Sequence, residues 1–218
     1  MKKVVRIVGD VHGKIPEYVN KVKDVQNSVQ IGDMAFNYYE LTALDPENHK
    51  FFGGNHENYD ICNDVAHCLG DFGTTTVGDL EFTFIRGEFS IDKAYRVKHE
   101  DMSMGKIWWK EEELTFDQRK SAYNMYTKAQ PKIMLTHGCP NEIALKIGKP
   151  SSLRYFGFDP NTFTTDTQTL LQKCFDTHKP DVWIFGHFHM SKDFVYKGTR
   201  FICLDELEYK DFKNGEFK

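Results

Sequence analysis

Pairing is what the cysteines of this sequence lack. There are five (Cys62, Cys68, Cys139, Cys174 and Cys203), an odd number with no CxxC spacing. That argues against a disulfide framework and a thiolate zinc site, and fits a reducing cytosol. Long apolar runs are missing too; none reaches the ~20 residues of a membrane span. The opening carries Lys2, Lys3 and a short apolar run, but Gly9-Asp10 interrupts it before a signal-peptide core forms. It reads as a first strand, not a leader. An excess of positive charge is absent: 28 Lys+Arg face 32 Asp+Glu, a formal net charge of −4. No global field therefore draws in duplex nucleic acid. Repeats, linkers and low-complexity tracts are absent as well. One domain over 1–218 is expected, with an inserted, cap-like segment around 88–114.

What is present is strand–helix alternation. Lys3–Val8, Ser28–Ile31 and Lys50–Phe52 read as short buried strands, with a helix opened by Pro16 between the first two. Helices are expected over Tyr38–Leu44 and Ile61–Leu69. This alternation predicts parallel pairing. A hairpin follows around Gly78-Asp79, then another strand within Glu88–Lys98. Thr115 with Gln118, and Thr165 with Gln168, are spaced as capping boxes that open two helices. Between them lie a strand over Lys132–Leu135, a short helix over Asn141–Ile147 and a loop over Gly148–Thr164. Asp181–Phe185 is a further strand, and a hairpin across Lys197-Gly198-Thr199 closes the pattern. Trp108-Trp109 reads as a packing anchor, and His49, His67, His99 and His178 as surface or helix residues.

Most of these strands end in oxygen or imidazole donors. Asp10 and His12 follow the first, Asp33 the second, and Asn55 and His56 the third. His137 follows a later strand, and His187 and His189 the next. Residues i and i+2 at a strand end share a side, so Asp10 and His12 can reach one ion. Asp33 has two carboxylate oxygens and can bridge two. Nitrogen and oxygen donors without thiolate suit manganese, iron, zinc or nickel better than calcium, with manganese favoured here. Two divalent ions against two carboxylates and a bridging hydroxide leave roughly one net positive charge, which attracts a phosphate ester. His56 adjoins Asn55 and can donate a proton to the leaving oxygen, with Glu57 as a candidate for orienting it.

Gly9-Asp10-Val11-His12-Gly13, Gly32-Asp33, Gly54-Asn55-His56-Glu57, His137-Gly138 and Gly186-His187-Phe188-His189 resemble, in order, the motif blocks of the calcineurin-like metallophosphoesterase superfamily. The resemblance implies an α/β fold, a four-layer α-β-β-α sandwich with two central mixed β-sheets. It implies that Asp10, His12, Asp33 and His189 hold one metal, and Asp33, Asn55, His137 and His187 the other. His56 takes the acid or phosphate-contacting role. The implied activity is dinuclear metal-dependent hydrolysis of phosphomonoesters or phosphodiesters, by in-line attack of a hydroxide bridging the ions. Serine/threonine protein phosphatases continue their second block as G-D-x-x-D-R-G. Here Met34-Ala35-Phe36-Asn37-Tyr38 supplies neither the aspartate nor the arginine. The stretch from Arg86 through Arg96 to Leu114 looks instead like small metallophosphoesterases of bacteria and their phages. That places Asp92 or Arg96 near the substrate and the protein in the cytoplasm of a bacterial cell or a phage-infected host. The expected partner is a phosphoester substrate, with no membrane; nucleic acid is not indicated by charge. Arg154 reads as an exposed arginine. The alternatives are a catalytically silent metal-binding scaffold and a nuclease acting on nucleic-acid ends.

Overall fold

The computed structural model describes residues 4–100, 105–148 and 150–218. Two mixed sheets lie face to face. The first contains β1 (Val5–Val8), β2 (Asn27–Gln30) and β3 (His49–Phe51), all parallel. It is extended by β10 (Tyr209–Lys213), antiparallel to β1, and by β11 (Glu216–Phe217). The second sheet runs β4 (Phe72–Val77), β5 (Leu80–Ile85), β6 (Ile133–Thr136), β7 (Val182–Phe185), β9 (Thr199–Cys203), β8 (Lys192–Tyr196). Its two outer pairs are antiparallel and its centre is parallel.

Side-chain alternation along the strands assigns each face its layer. Val5, Ile7 and Val29 meet Phe84, Leu135, Ile184 and Ile202 between the sheets. On the outer face of the second sheet, Met134, Trp183, Phe185 and Phe201 pack against α3 (Phe116–Ala129) and α6 (Asp166–Thr177). On the outer face of the first, Val8 and Phe51 pack against Ile15, Tyr18 and Val22 of α1 (Ile15–Val22). The result is the expected α-β-β-α order. Thr115 and Gln118 form the anticipated reciprocal capping box on α3. Thr165 accepts the Gln168 amide proton at the start of α6.

Several local expectations are corrected. Ile61–Leu69 is not a helix: one 3-10 turn, Cys62–Asp64, is all that forms. Asn58 Oδ1 accepts the Asp60 N–H, a local bond that competes with helix continuation. Tyr38–Leu44 is likewise reduced to a 3-10 turn, Tyr39–Ala43. The strand expected within Glu88–Lys98 is replaced by helix α2 (Lys93–His99), where Arg96 pairs with Asp92 one turn away. The loop over 148–164 contains α5 (Pro150–Tyr155), opened by a proline in its first turn. Helix α4 (Asn141–Ile147) lies where expected. His49 and His67 are buried, and His49 Nδ1 meets Ser28 Oγ at 2.8 Å. Trp109 is buried, 5.3 Å from the Phe36 ring, and anchors the 88–114 segment; residues 101–104 of that segment, and 1–3, lie outside the described residues.

Candidate metal centre

The parallel strands β1, β2, β3, β6 and β7 all deliver their carboxyl ends to one edge of the sandwich, where open α/β sheets collect their ligands. Strand β1 stops at Val8, so simple i, i+2 alternation does not bring Asp10 and His12 together as expected. The backbone turns instead: His12 adopts φ +50°, and its N–H and that of Val11 both donate to the Asp33 carbonyl. Asp33, His187 and His189 are also left-handed, at φ +61°, +65° and +48°. Non-glycine residues rarely sit there, and such strain clusters at functional sites.

Donor atoms of Asp10, His12, Asp33 and His189 all lie within 4.8 Å of one another. His189 Nε2 is 3.2 Å from Asp10 Oδ2 and 2.9 Å from His12 Nε2. Beside this group lies a second. Asn55 Oδ1 is 3.0 Å from His137 Nε2 and 2.9 Å from His187 Nδ1, and His137 Nε2 is 3.2 Å from Asp33 Oδ1. Asp33 stands between the groups: Oδ1 faces His137 while Oδ2 is 3.7 Å from His12 Nε2. All seven residues predicted as ligands therefore meet at one edge.

Charge and lone pairs test whether a cation fits. His137 Nδ1 donates to the Ile31 carbonyl at 3.1 Å, which turns the Nε2 lone pair inward. The Asn55 amide nitrogen donates to Ser90 Oγ at 3.1 Å, and Ser90 in turn donates to Glu112, so Asn55 Oδ1 also points inward. Two lone pairs converging at 3.0 Å demand positive charge between them. Without a metal that demand falls on protons. Burial opposes a charge on His137, yet Asp33 and Asp10 raise its pKa to about 10. Burial works against the ionised Asp10 as well, and hydrogen bonds from His12 and His189 still pull it below the usual carboxylate range. For Asp33, burial is outweighed by His137 and His56. Burial lowers His187 to about 3, so it offers a neutral imidazole. The cluster could hold a divalent metal, which would replace these protons.

The glycines leave room for this convergence. A Cβ at Gly54 would fall 2.2 Å from Asp33 Oδ1, and one at Gly186 2.2 Å from Asp10 Oδ1. Gln30, which the sequence reading passed over, ties two strand ends together. Its amide donates to the Gly9 carbonyl at 3.1 Å and to the Gly32 carbonyl, and accepts from the Gly32 N–H. Gln30 belongs to a strand, Asn27–Gln30, that is wholly buried although three of its four residues are polar, and nothing in its spacing marks it for this role.

His56 lies at the rim. Its N–H donates to Asp33 Oδ1 at 2.7 Å, and its ring meets His12 edge-on at 4.8 Å. Arg96, not Glu57, sets the ring: the guanidinium reaches His56 Nε2 and is itself held by Asp92 at 2.9 Å. Glu57 instead accepts from Met34 N–H and the Tyr38 hydroxyl, at 2.8 and 2.6 Å, and so secures the turn that carries Asp33. Burial lowers His56 to about 4, with Arg96 and His12 adding to the effect. Arg154 is exposed.

Two stacked mixed sheets with helices outside, and an Asp/His/Asn nest at the carboxyl ends of their parallel strands, define a metallophosphoesterase. The calcineurin-like phosphoesterase model matches residues 4–191, and the chain belongs to that family. A dimetal phosphatase from Danio rerio has a similar structure over 96% of this chain and 91% of its own, at 13% identity and a TM-score of 0.53. Phosphopantetheinyl hydrolase from Mycobacterium tuberculosis is similar over 94% and 90%, at 14% identity and a TM-score of 0.48. At such identities the likeness speaks for the fold alone. No curated protein sequence matches the chain. Among the described residues, no helix is long and apolar enough to cross a membrane.

Proposed function

We propose that the chain is a cytoplasmic dinuclear metal-dependent phosphoesterase, with Asp10, His12, Asp33 and His189 holding one ion and Asp33, Asn55, His137 and His187 the other. The observation that carries this reading is Asp33, whose two oxygens face two separate donor groups. When bound, divalent ions supply Lewis acidity, lowering the pKa of water from ~15.7 to about 7 and neutralising phosphate charge; manganese is the favoured ion.

The chain's own residues do the rest. Asp10 is oriented by the His187 N–H, 3.1 Å from both its oxygens. Ser90 and Glu112 keep the Asn55 oxygen turned into the site. Arg96, buried behind His56 with its N–H groups on Asp92, the Asn55 carbonyl and His56, supplies a permanent cation beside the site, in place of the arginine missing after Asp33. Its planar fork suits phosphate oxygens, and Asp92 holds it in place. His56 is neutral in the free protein. A bound phosphate raises its pKa by opposite charge and draws the Arg96 guanidinium off Nε2, and the proton the ring takes up is passed to the leaving oxygen.

The test is elemental analysis, followed by hydrolysis of aryl monoesters and bis-aryl diesters with manganese, nickel, zinc or iron. Two ions per chain and metal-dependent turnover, both lost in Asp33→Asn, are expected. A metal-loaded chain inert on every phosphoester would establish the scaffold reading instead. Turnover confined to nucleic-acid ends would establish the nuclease.

A further inference from the structure

Next to the donor nest, and touching it through His187 and His189, the chain forms a half-open cavity of about 300 Å³. That is the lower end of small-molecule pockets, about 300–1,000 Å³, and room for a single ring system and little more. Its walls come from α4, α5, the turn that follows α5 and the first turns of α6. None of the residues proposed for metal or proton chemistry explains why this wall is built as it is.

The wall is mainly aromatic and aliphatic. Phe163 is held by the rings of Phe158 at 4.6 Å and Phe89 at 6.1 Å. Phe188 stands edge-on to Phe185 at 5.9 Å. Both are placed before any ligand arrives. Leu145 and Phe156 also line the cavity and remain 54% and 37% exposed. Two carboxamides interrupt this surface. Asn141 Oδ1 is buried with no hydrogen-bond partner. Gln168 is only 5% exposed, and its side-chain amide has no partner among the described residues. Buried polar groups are normally paired, so the Asn141 oxygen needs a partner from outside, and the Gln168 amide beside it is free to supply a second contact.

We infer that this cavity receives the nucleobase of a nucleoside phosphoester whose phosphate lies at the metal centre; the inference rests on the phosphoesterase reading above. A flat aromatic ring stacks on phenylalanine faces. A carboxamide pairs its donor and acceptor with the edge of a base, adenine N6 and N7 being the best match. An alkyl or acyl chain would fill the same space and leave both amides unpaired. A plain aryl group would stack but satisfy neither. The volume admits one base, and the chain's net charge of −4 offers no track for a polynucleotide backbone. The substrate class is therefore a mononucleotide-sized ester.

Binding of adenosine, which has no phosphate, separates this inference from the chemistry. Titration of the full-length, metal-free chain, followed by NMR, is expected to show saturable binding with shifts at the Phe163 and Phe188 rings. Gln168→Leu and Phe163→Ala each weaken it about tenfold. Leu145→Trp, a half-exposed position where folding is little at risk, blocks the cavity and abolishes it. Phenyl phosphate turnover by the metal-loaded wild type is measured in parallel. Turnover without adenosine binding overturns the inference and leaves the phosphoesterase reading standing. Tighter binding of octanol or phenol than of adenosine also overturns it, as does adenosine binding that all three variants leave unchanged. Adenosine binding without turnover on any phosphoester removes the phosphoesterase reading, and with it the substrate named here.

Discussion

The donor nest and the cavity wall adjoin at His187 and His189, yet they are built on opposite plans. In the nest the backbone is specialised. His12, Asp33, His187 and His189 are left-handed, and glycines stand where a Cβ would collide with a carboxylate. Each such non-glycine residue costs about 1 kcal/mol or more, offset by the surrounding bonds. In the wall, over 141–148 and 150–163, the one positive φ among the described residues belongs to Gly157. The surface there is shaped by side chains on ordinary helices and turns. A nest constrained in this way tolerates almost no change in its own residues. A wall of rings and aliphatic chains can be rewritten to fit another substrate while the chemistry is left alone.

The sharpest way to break that contrast is Gly54→Ala. The added methyl would lie 2.2 Å from Asp33 Oδ1 and 2.8 Å from His137 Nε2. Metal affinity is expected to fall by roughly 100-fold or more, at the upper end of losses from disturbed ligand support. Elemental analysis after dialysis measures it. On the wall, Leu153→Ala is expected to leave metal content at the wild-type value. Equal metal loss in both variants would erase the distinction. A smaller effect is expected at the rim. Arg96→Ala should retain both ions but lose about 100-fold in kcat on aryl phosphates, comparable to removing one charge-stabilising donor. Arg96→Lys should recover little, because an ammonium cannot reproduce the fork held by Asp92. Steady-state kinetics with parallel metal analysis decides; an Arg96→Ala enzyme with wild-type kcat would remove Arg96 from the rim.

The same contrast explains what could be read in advance. Nest residues must be Asp, His, Asn or Gly, so their identities survive as motif blocks, and the four-layer order was implied by the family resemblance those blocks carry. The wall has no such obligation. Its helix α5 was expected as loop because Gly148, Pro150, Ser151 and Ser152 are turn residues in composition, although a proline also opens a helix. Ser90, Glu112 and Gln30, which steer the nest, belong to ordinary polar types with no local spacing to mark them. Ile61–Leu69 carries apolar residues at helical spacing, and the Asn58 side chain still diverts its entry. The hairpin of β10 and β11 was missed although Asn214-Gly215, at φ +60° and +84°, is a strong turn pair between Phe212 and Phe217.

Glu88 joins the two regions and gives the finest test of the contrast. It is fully buried, with Oε2 packed on Gly138 next to His137 and without a hydrogen-bond partner. Oε1 accepts from the Thr165 hydroxyl, the cap of the helix that carries Gln168, at 2.6 Å, and from the Phe89 N–H at 2.9 Å. Burial raises its pKa to about 8 despite these bonds. Unfolded, the same carboxyl titrates near 4.5. Between those values the folded chain binds the extra proton, so this group's contribution falls as pH rises, by up to about 1.4 kcal/mol per pH unit. Below pH 4.5 both states are protonated and the contribution is constant; above 8 the loss is complete. Glu88→Gln keeps the shape and removes the titration. The variant should match the wild type in denaturant stability near pH 5 and exceed it progressively toward pH 8, with the difference flat beyond. A difference that does not change with pH would mean that Glu88 is ionised in the folded chain, and that the junction between nest and wall is held by charge instead of by a neutral hydrogen bond.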